Sequence, residues 1–476
     1  MKNAAGGPPK LVVAVVGHTN TGKTSLVRTL TRDSRFGEVS NRPATTRHVE
    51  GTVLLVDGAP LVELYDTPGL EDPMGLLEHL ESLRGDRRCD WIDVIHGFLA
   101  EPAGGPFSQE AKAIRQVLAS DVALYVVDAR DRVLGKHRDE LEILGRCARP
   151  VVPVLNFTAS DEARTAEWRE HLARINMHAV AEFDTVVLDE TSEQRLFEKM
   201  RTLLDSFRPT LNALIAERQR QREGLVQAAS EMLADLLIDV AACRLLVPEQ
   251  QIDERDESLE RLKRLVRERE QQCVNALLDL FCFDDADYAA DALPISGGKW
   301  GSDLFSPASL REFGIRAGSG AAAGAAAGLA IDALAGGLTL GAAAALGATL
   351  GALWSSLGSH GRRLIDVFQG FTELRVADET LRLLAARQLD LVAALLRRGH
   401  ASQDKLRLTS EAEAARSPWI SAPLPDEIAE ARYHPEWSRL DGNDGGGASL
   451  SDRTETRDRL AHRIARIFGP PAPQLN

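Results

Sequence analysis

The run Leu11-Val12-Val13-Ala14-Val15-Val16, followed at once by Gly17-His18-Thr19-Asn20-Thr21-Gly22-Lys23-Thr24, constrains this chain more than any other feature. The second stretch fits the phosphate-loop pattern GxxxxGK[ST]. The first is short and valine-rich, as suits a strand buried on both faces. Ser25–Arg32 holds helix-forming residues and neither proline nor glycine. The expected local structure is therefore strand, glycine-rich turn and helix. Its backbone N–H groups would wrap phosphate oxygens at the positive end of the helix. Gly17, Asn20, Thr21, Gly22, Lys23, Thr24 and Ser25 would line that ligand. Lys23 would reach the outer phosphates, and the Thr24 hydroxyl would sit on Mg²⁺. The bland reading, a chance match in an ordinary strand-to-helix turn, is opposed by the flanking segments.

A second motif converges on the same site. Asp66-Thr67-Pro68-Gly69 closes the apolar segment Leu61–Tyr65. An aspartate at a strand end can hold Mg²⁺ through the metal's water, and the Gly69 N–H can meet a terminal phosphate. Between the motifs lies the polar loop Asn41–Arg47, where a threonine could complete the metal shell.

GHTNTGKTS, PATTRHVEG and LYDTPG, in that order, resemble the Era/TrmE-type bacterial GTPases of the translation-factor-related class, over roughly residues 10 to 190. The resemblance implies GTP hydrolysis to GDP and phosphate, with Lys23, Thr46 and Gly69 in the catalytic centre. It makes Thr46 the switch metal ligand, with Thr45 as fallback, so that Thr24, Thr46 and Asp66 form the metal set. Leu70 matches the family's hydrophobic residue where other classes carry a catalytic glutamine. Hydrolysis would then be helped by a partner, a homodimer or a monovalent cation. Asn20 stands where potassium-activated relatives hold K⁺, and asparagine is equally a good turn residue.

The base end departs from the family. Asn156-Phe157-Thr158-Ala159 occupies the place of N-K-x-D. Asn156 matches. Phe157 replaces the lysine that lies under the base, where an aromatic ring could stack instead. Ala159 replaces the aspartate that pairs with the guanine edge, and edge pairing is what discriminates strongly between bases. Asp161 is a substitute if the loop is longer. GTP is the expectation by resemblance, with ATP open.

The segments 11–16, 48–56, 61–65, 121–127, 150–155 and 184–188 read as strands alternating with helices. This predicts an α/β fold, a doubly wound and mostly parallel sheet with nucleotide at the strands' carboxyl ends. Trp91–Leu99 has helical spacing and would add a helix near the second motif, either for packing or to sense nucleotide. The expected organisation is an N-terminal segment 1–9, a G domain 10–192, a helical region 193–295, a helical domain 296–400 and a polar tail 401–476. Leu196, Met200, Leu203 and Leu204 open the helical pattern. In the charged stretch 249–270, Leu259, Leu262 and Leu265 form a narrow stripe, read as a solvated bundle helix or a moving stalk. Leu364–Arg397 reads as amphipathic helix. The arginine-rich stretch Arg453–Arg466 reads as a solvated terminal helix.

Residues 317–357 carry a glycine zipper: Gly320, Gly324 and Gly328, then Gly337 with Gly341 and Gly347 with Gly351. Small residues four apart let helices approach closely. A helix over 333–358 would reach roughly 35–40 Å, enough for a bilayer core of about 30 Å. Each leucine favours insertion by only about 0.3–0.6 kcal/mol, whereas Asp332 opposes it by roughly 2.5–3.5 kcal/mol. A packed helical hairpin, membrane contact and self-association all stay open.

The net charge of −14 argues against a general nucleic-acid binder. Five scattered cysteines without a CxxC suit a reducing compartment and no zinc site. Met1–Pro9 lacks an apolar core, so the expected location is cytoplasmic, with contact at the inner membrane's cytoplasmic face open. The C-terminal portion resembles the uncharacterised domain that follows the G domain in some bacterial GTPases, and its effector is unnamed. The leading reading is a Mg²⁺-dependent GTPase switch controlling a helical domain. The rivals are a dynamin-like membrane-remodelling GTPase, a ribosome or RNA assembly GTPase, and a binding switch with negligible turnover.

Overall fold

The computed structural model describes residues 8–32, 49–85, 88–102, 105–185, 192–248, 252–281, 295–296, 299–315, 329–332, 371–397, 419–440 and 447–468. They fall into two compact units, divided between Gln221 and Arg222, inside one long helix, and again between Leu395 and Leu396, where the last residues of another helix group with the first unit.

The first unit holds a six-stranded sheet: β1 (Leu11–Val16), β2 (Glu50–Val56), β3 (Ala59–Asp66), β4 (Val122–Asp128), β5 (Val151–Asn156) and β6 (Ala181–Glu182). The strand order is β2-β3-β1-β4-β5-β6. Every neighbouring pair is parallel except β2 with β3, a hairpin closed by Asp57 and Gly58 at φ 48° and 77°. Positive φ at both positions is what a tight two-residue turn demands, and Asp-Gly supplies it. The sixth strand sits earlier than the expected 184–188. Ala181 and Glu182 pair with Val154 and Leu155, while 186–188 lie outside the described residues.

Side chains alternate across β1. Leu11, Val13 and Val15 face α1 (Lys23–Thr31), whereas Ala14 and Val16 face the opposite layer. That opposite layer is built from α2 (Pro73–Arg84), α3 (Trp91–Leu99), α4 (Ser108–Ala119), α5 (Gly135–Arg146) and α6 (Thr165–Arg174). Burial on both faces explains why β1 and β4 read as continuous apolar runs. The α1 face is completed by α7 (Ser192–Leu203) and the start of α8 (Arg208–Ala242), through Leu196, Phe197, Met200, Leu211 and Leu214. Each fully buried Leu or Phe contributes about 1.5–3 kcal/mol, so this layer is a substantial part of the unit's core.

The second unit is mainly helical, with α9 (Ile252–Leu280), α10 (Pro307–Glu312) and the helices Asp378–Arg397, Asp426–Ala431 and Gly447–Phe468. In α9, Leu262, Val266, Cys273 and Leu277 are buried, extending the expected leucine stripe. Three strands correct the expectation of unbroken helix. β7 (Arg244–Pro248) interrupts the long helical region, β10 (Leu329–Asp332) falls within the glycine-zipper segment, and β11 (Phe371–Val376) replaces the start of the helix read over 364–397. They form an antiparallel sheet in the order β10-β11-β7, and a separate ribbon joins β8 (Ile295–Ser296) to β9 (Lys299–Trp300). Ladder bonds to a partner strand outweigh helix propensity in such short segments. The zipper helix therefore does not run through 329–332, and the rest of that segment lies outside the described residues. Among the described residues no helix is long and apolar enough to cross a membrane.

The C-terminal helix is not a solvated tail. Arg453 is 2% exposed, and its Nη1 and Nη2 donate to Asp235 and Asp239 at 2.8 Å each. Its Nε donates to the Trp437 carbonyl at 2.9 Å, and Arg269 reaches the other Asp239 oxygen at 2.9 Å.

Candidate functional site

The carboxyl ends of β1, β3, β4 and β5 meet at the phosphate loop. Gly17 has φ 142°, and a Cβ there would lie 2.3 Å from the Val126 carbonyl oxygen. Gly22 has φ 89°, and a Cβ there would lie 2.2 Å from Asn156 Nδ2. Only glycine permits the loop to lie this close to β4 and β5. Lys23 is buried and its Nζ donates to the His18 carbonyl at 2.6 Å, inside the loop. Burial lowers its pKa, opposed by the charges of Asp66 and Glu140. Asn20 takes a left-handed backbone at φ 64° on the exposed rim.

Thr24, beside Lys23 in the first turn of α1, donates its hydroxyl to Asp66 Oδ2 at 2.5 Å. Asp66 Oδ1 is buried with no hydrogen-bond partner. Burial pushes this carboxyl up to about 6, against the pull of Lys23 and Thr24. An orphaned acceptor beside a threonine hydroxyl is a hard-oxygen set, and it fits Mg²⁺ held with several of its own waters. Thr67 anchors the next residue to the Val15 carbonyl at 2.8 Å. Gly69 packs on Thr19, whose backbone nitrogen would lie 2.9 Å from an added Cβ, so no other side chain fits there. Leu70 is 1% exposed and, being apolar, offers no hydrogen bond to a water nucleophile. Thr45 and Thr46 lie outside the described residues. The structure thus brings Gly17, Thr21, Gly22, Lys23, Thr24, Asp66, Gly69 and Asn156 into one place, with Ser25 in the first turn of α1 behind them.

Asn156 ties three loops together. It donates to the Thr21 carbonyl at 3.0 Å and accepts from the Phe157 and Thr185 N–H groups at 2.9 Å each. The Asp184 carboxylate accepts from the Ala159 N–H at 2.9 Å, so it fastens the loop where the family carries its base-reading aspartate. Asp161 is exposed farther along that loop.

Two carboxylates that the motifs do not mark support the site. Glu140 is 0% exposed; one of its oxygens lies 2.9 Å from His18 Nδ1 and the other accepts from the Tyr125 hydroxyl at 2.6 Å. Glu110, 3% exposed, accepts from the Glu71 and Asp72 N–H groups at 3.1 Å each, holding the segment just after Gly69. The only trace of either in the sequence is a charge on an otherwise buried helix face. Among the described residues no cluster of His, Cys, Asp and Glu has metal-site geometry, and Cys89, Cys147, Cys243 and Cys273 form no disulfide.

Comparison with known proteins agrees with this geometry. Residues 12–157 match the family described as 50S ribosome-binding GTPase, and residues 169–462 match the Domain of unknown function (DUF3482). The chain is 29% identical over 133 residues to the tRNA modification GTPase MnmE of Synechococcus elongatus, covering 28% of each chain. It is 31% identical over 168 residues to GTPase Der of Akkermansia muciniphila, covering 34% of this chain and 30% of that one. Era in complex with MgGDPNP and a segment of 16S ribosomal RNA aligns at 17% identity and a TM-score of 0.30, over 42% of this chain and 57% of that chain. The chain thus spans about a third or less of the length of these two curated relatives. Residues 12–157 therefore carry a P-loop GTPase domain, and through the region that follows, which fills more than half of its length, the chain belongs to the DUF3482 family.

Proposed function

We propose that this protein is a Mg²⁺-dependent GTP hydrolase whose nucleotide state controls the DUF3482 region. The supporting observation is the Thr24–Asp66 contact with the buried, unpartnered Asp66 Oδ1 beside Lys23. When bound, Mg²⁺ would draw charge from the phosphate oxygens and would be held by Thr24, by Asp66 and by Thr46. Lys23 would leave the His18 carbonyl for the outer phosphates. The N–H of Gly69 would meet the terminal phosphate, and loss of that phosphate would release Gly69 and the segment held by Glu110. Positioned positive charge and backbone donors stabilise the transferring group more in the transition state than in the ground state. Water is the nucleophile. With Leu70 buried and apolar, turnover by the isolated chain is slow, and Asn20, exposed on the rim of the loop, would help hold an activating K⁺. A homodimer is the other source of help, and contact with a cytoplasmic membrane face through 317–357 is the effector role we carry forward.

The deciding experiment is single-turnover GTP hydrolysis in K⁺ and in Na⁺, with Mg²⁺ and with EDTA, for the wild type and Lys23→Ala. Mg²⁺-dependent hydrolysis lost in Lys23→Ala supports the reading. Equal activity in the variant overturns it. Flotation with liposomes in the GTP and GDP states tests the membrane role, and indifference to lipid removes it.

A further inference from the structure

Phe157 is an aromatic residue at φ 60°, a left-handed backbone that bulky side chains rarely adopt. It is held there by its N–H, which donates to Asn156 Oδ1 at 2.9 Å, the residue that also grips the phosphate loop through the Thr21 carbonyl. The ring consequently reaches back over the loop, and its Cζ lies 3.4 Å from where a Gly22 Cβ would be. The Arg130 guanidinium lies over the ring, 4.1 Å from its centre. Arg130 is itself fixed by Asp128, with bonds of 2.9 Å from Nε and 2.7 Å from Nη2. A half-buried ring at the mouth of a phosphate loop, clamped at its backbone and backed by a fixed cation, has the form of a stacking platform. Beside it, position 159 carries only a methyl group, and the nearby Asp184 carboxylate is engaged with the loop backbone.

We infer that Phe157, backed by Arg130, is the residue that holds the base of the bound nucleotide. It does so by stacking on the base's flat face and not by pairing with its edge. The ligand class is a purine nucleoside triphosphate read with little regard to the 2-amino group. Stacking rewards any planar purine, whereas strong discrimination needs buried polar groups that a wrong base leaves unpaired. This inference rests on the nucleotide-hydrolase reading above and adds the means by which the base is held.

The test is equilibrium binding of GTP and ITP, which differ only by the 2-amino group, to the wild type, Phe157→Leu and Phe157→Trp. Binding of Mg²⁺–tripolyphosphate and the melting temperature report on the loop and the fold. GTP and ITP are expected to bind the wild type within about threefold of each other. Phe157→Leu is expected to weaken both by about tenfold, the usual scale for losing one base–aromatic stack. Phe157→Trp is expected to keep both, and tripolyphosphate binding is expected to be unchanged throughout. ITP binding more than about thirtyfold weaker than GTP, or a Phe157→Leu variant with unaltered affinity, overturns the platform. A wild-type protein that binds tripolyphosphate and nucleotides not at all overturns the hydrolase reading instead.

Discussion

Thr24 Oγ1 donates to Asp66 Oδ2 at 2.5 Å, joining the first turn of α1 to the end of β3 across 42 residues of sequence. The bond leaves Asp66 Oδ1 buried and unpartnered. Asp66→Asn preserves the shape of this contact and removes its charge. Groups that hold a metal through its water typically change metal affinity by about 10–100-fold. Titration of Mg²⁺ against bound fluorescent GTP should show a loss of that size, and an unchanged midpoint would refute the metal assignment.

The same carboxyl should make Mg²⁺ binding depend on pH. Its pKa in the folded, nucleotide-free protein is about 6, above the ordinary 3.8, because burial disfavours the charged form. The folded state therefore holds a proton that the unfolded state releases, and this group's contribution to stability falls as pH rises from 3.8 to about 6. The charged form that a cation needs is present above about 6 and is lost as pH falls through it. Mg²⁺ affinity measured from pH 5 to 8 should bend near that value, and Asp66→Asn should flatten the curve.

Glu110 should act on turnover through the segment after Gly69. Its carboxylate accepts from the Glu71 and Asp72 N–H groups at 3.1 Å each. Glu110→Ala leaves two backbone donors without this partner; Glu71 and Asp72 are exposed, so water takes its place and each lost bond costs about 0.5–1.5 kcal/mol. Single-turnover hydrolysis should fall by about tenfold with GTP affinity within about twofold, and Glu110→Gln, which keeps an acceptor, should recover most of the rate. Equal loss of affinity and rate would reduce Glu110 to a purely structural role.

In the second unit, Arg453→Ala should be among the most damaging single changes. It removes the cation shared by Asp235 and Asp239, the latter fully buried. Breaking a buried ion pair from one side costs about 3–5 kcal/mol when the remaining charge is left uncompensated; here Arg269 still reaches the other Asp239 oxygen at 2.9 Å, so the loss should fall at or below the lower end of that range. Urea unfolding should show the loss, and Arg453→Lys should recover only part of it, since an ammonium cannot reproduce the forked contacts.

Glu270 should give the second unit its own pH dependence. Burial raises its carboxyl to about 7, opposed by the charge and hydrogen bond of Arg387. Its folded pKa lies above the ordinary 4.5, so stability from this group falls as pH rises from 4.5 to about 7. Glu270→Gln should lessen the difference in unfolding free energy between pH 5 and pH 8, and an unchanged difference would place the titration elsewhere.

The parts of the fold legible in advance were those with local rules. β1 and the glycine turn follow from a valine run and two glycines, and the helix Trp91–Leu99 lies where its apolar spacing puts it. Misreadings arose where one segment's conformation depends on another far away. Leu329–Asp332 sits among alanines and glycines that read as helix, yet it pairs with Phe371–Val376 and is a strand. Phe371–Val376 in turn lies between Leu329–Asp332 and Arg244–Pro248, so its ladder comes from segments on both sides that no local window contains.

The sequence by itself determined the phosphate loop, the Asp66–Gly69 motif and the doubly wound sheet. The two motifs are encoded by residues within a few positions of one another, which allow only a narrow backbone geometry, and the sheet is announced by the alternation of apolar strand segments with helices. The tertiary structure alone decided that Glu140 sits beside His18, that Glu110 holds the Glu71 and Asp72 amides, and that Arg453 is an interior cation. Those contacts span 122, 39 and 214 residues. A charged side chain is stable inside a protein only when a partner of opposite charge or a hydrogen-bonding group is carried to it, and which one arrives is settled by how the whole chain packs.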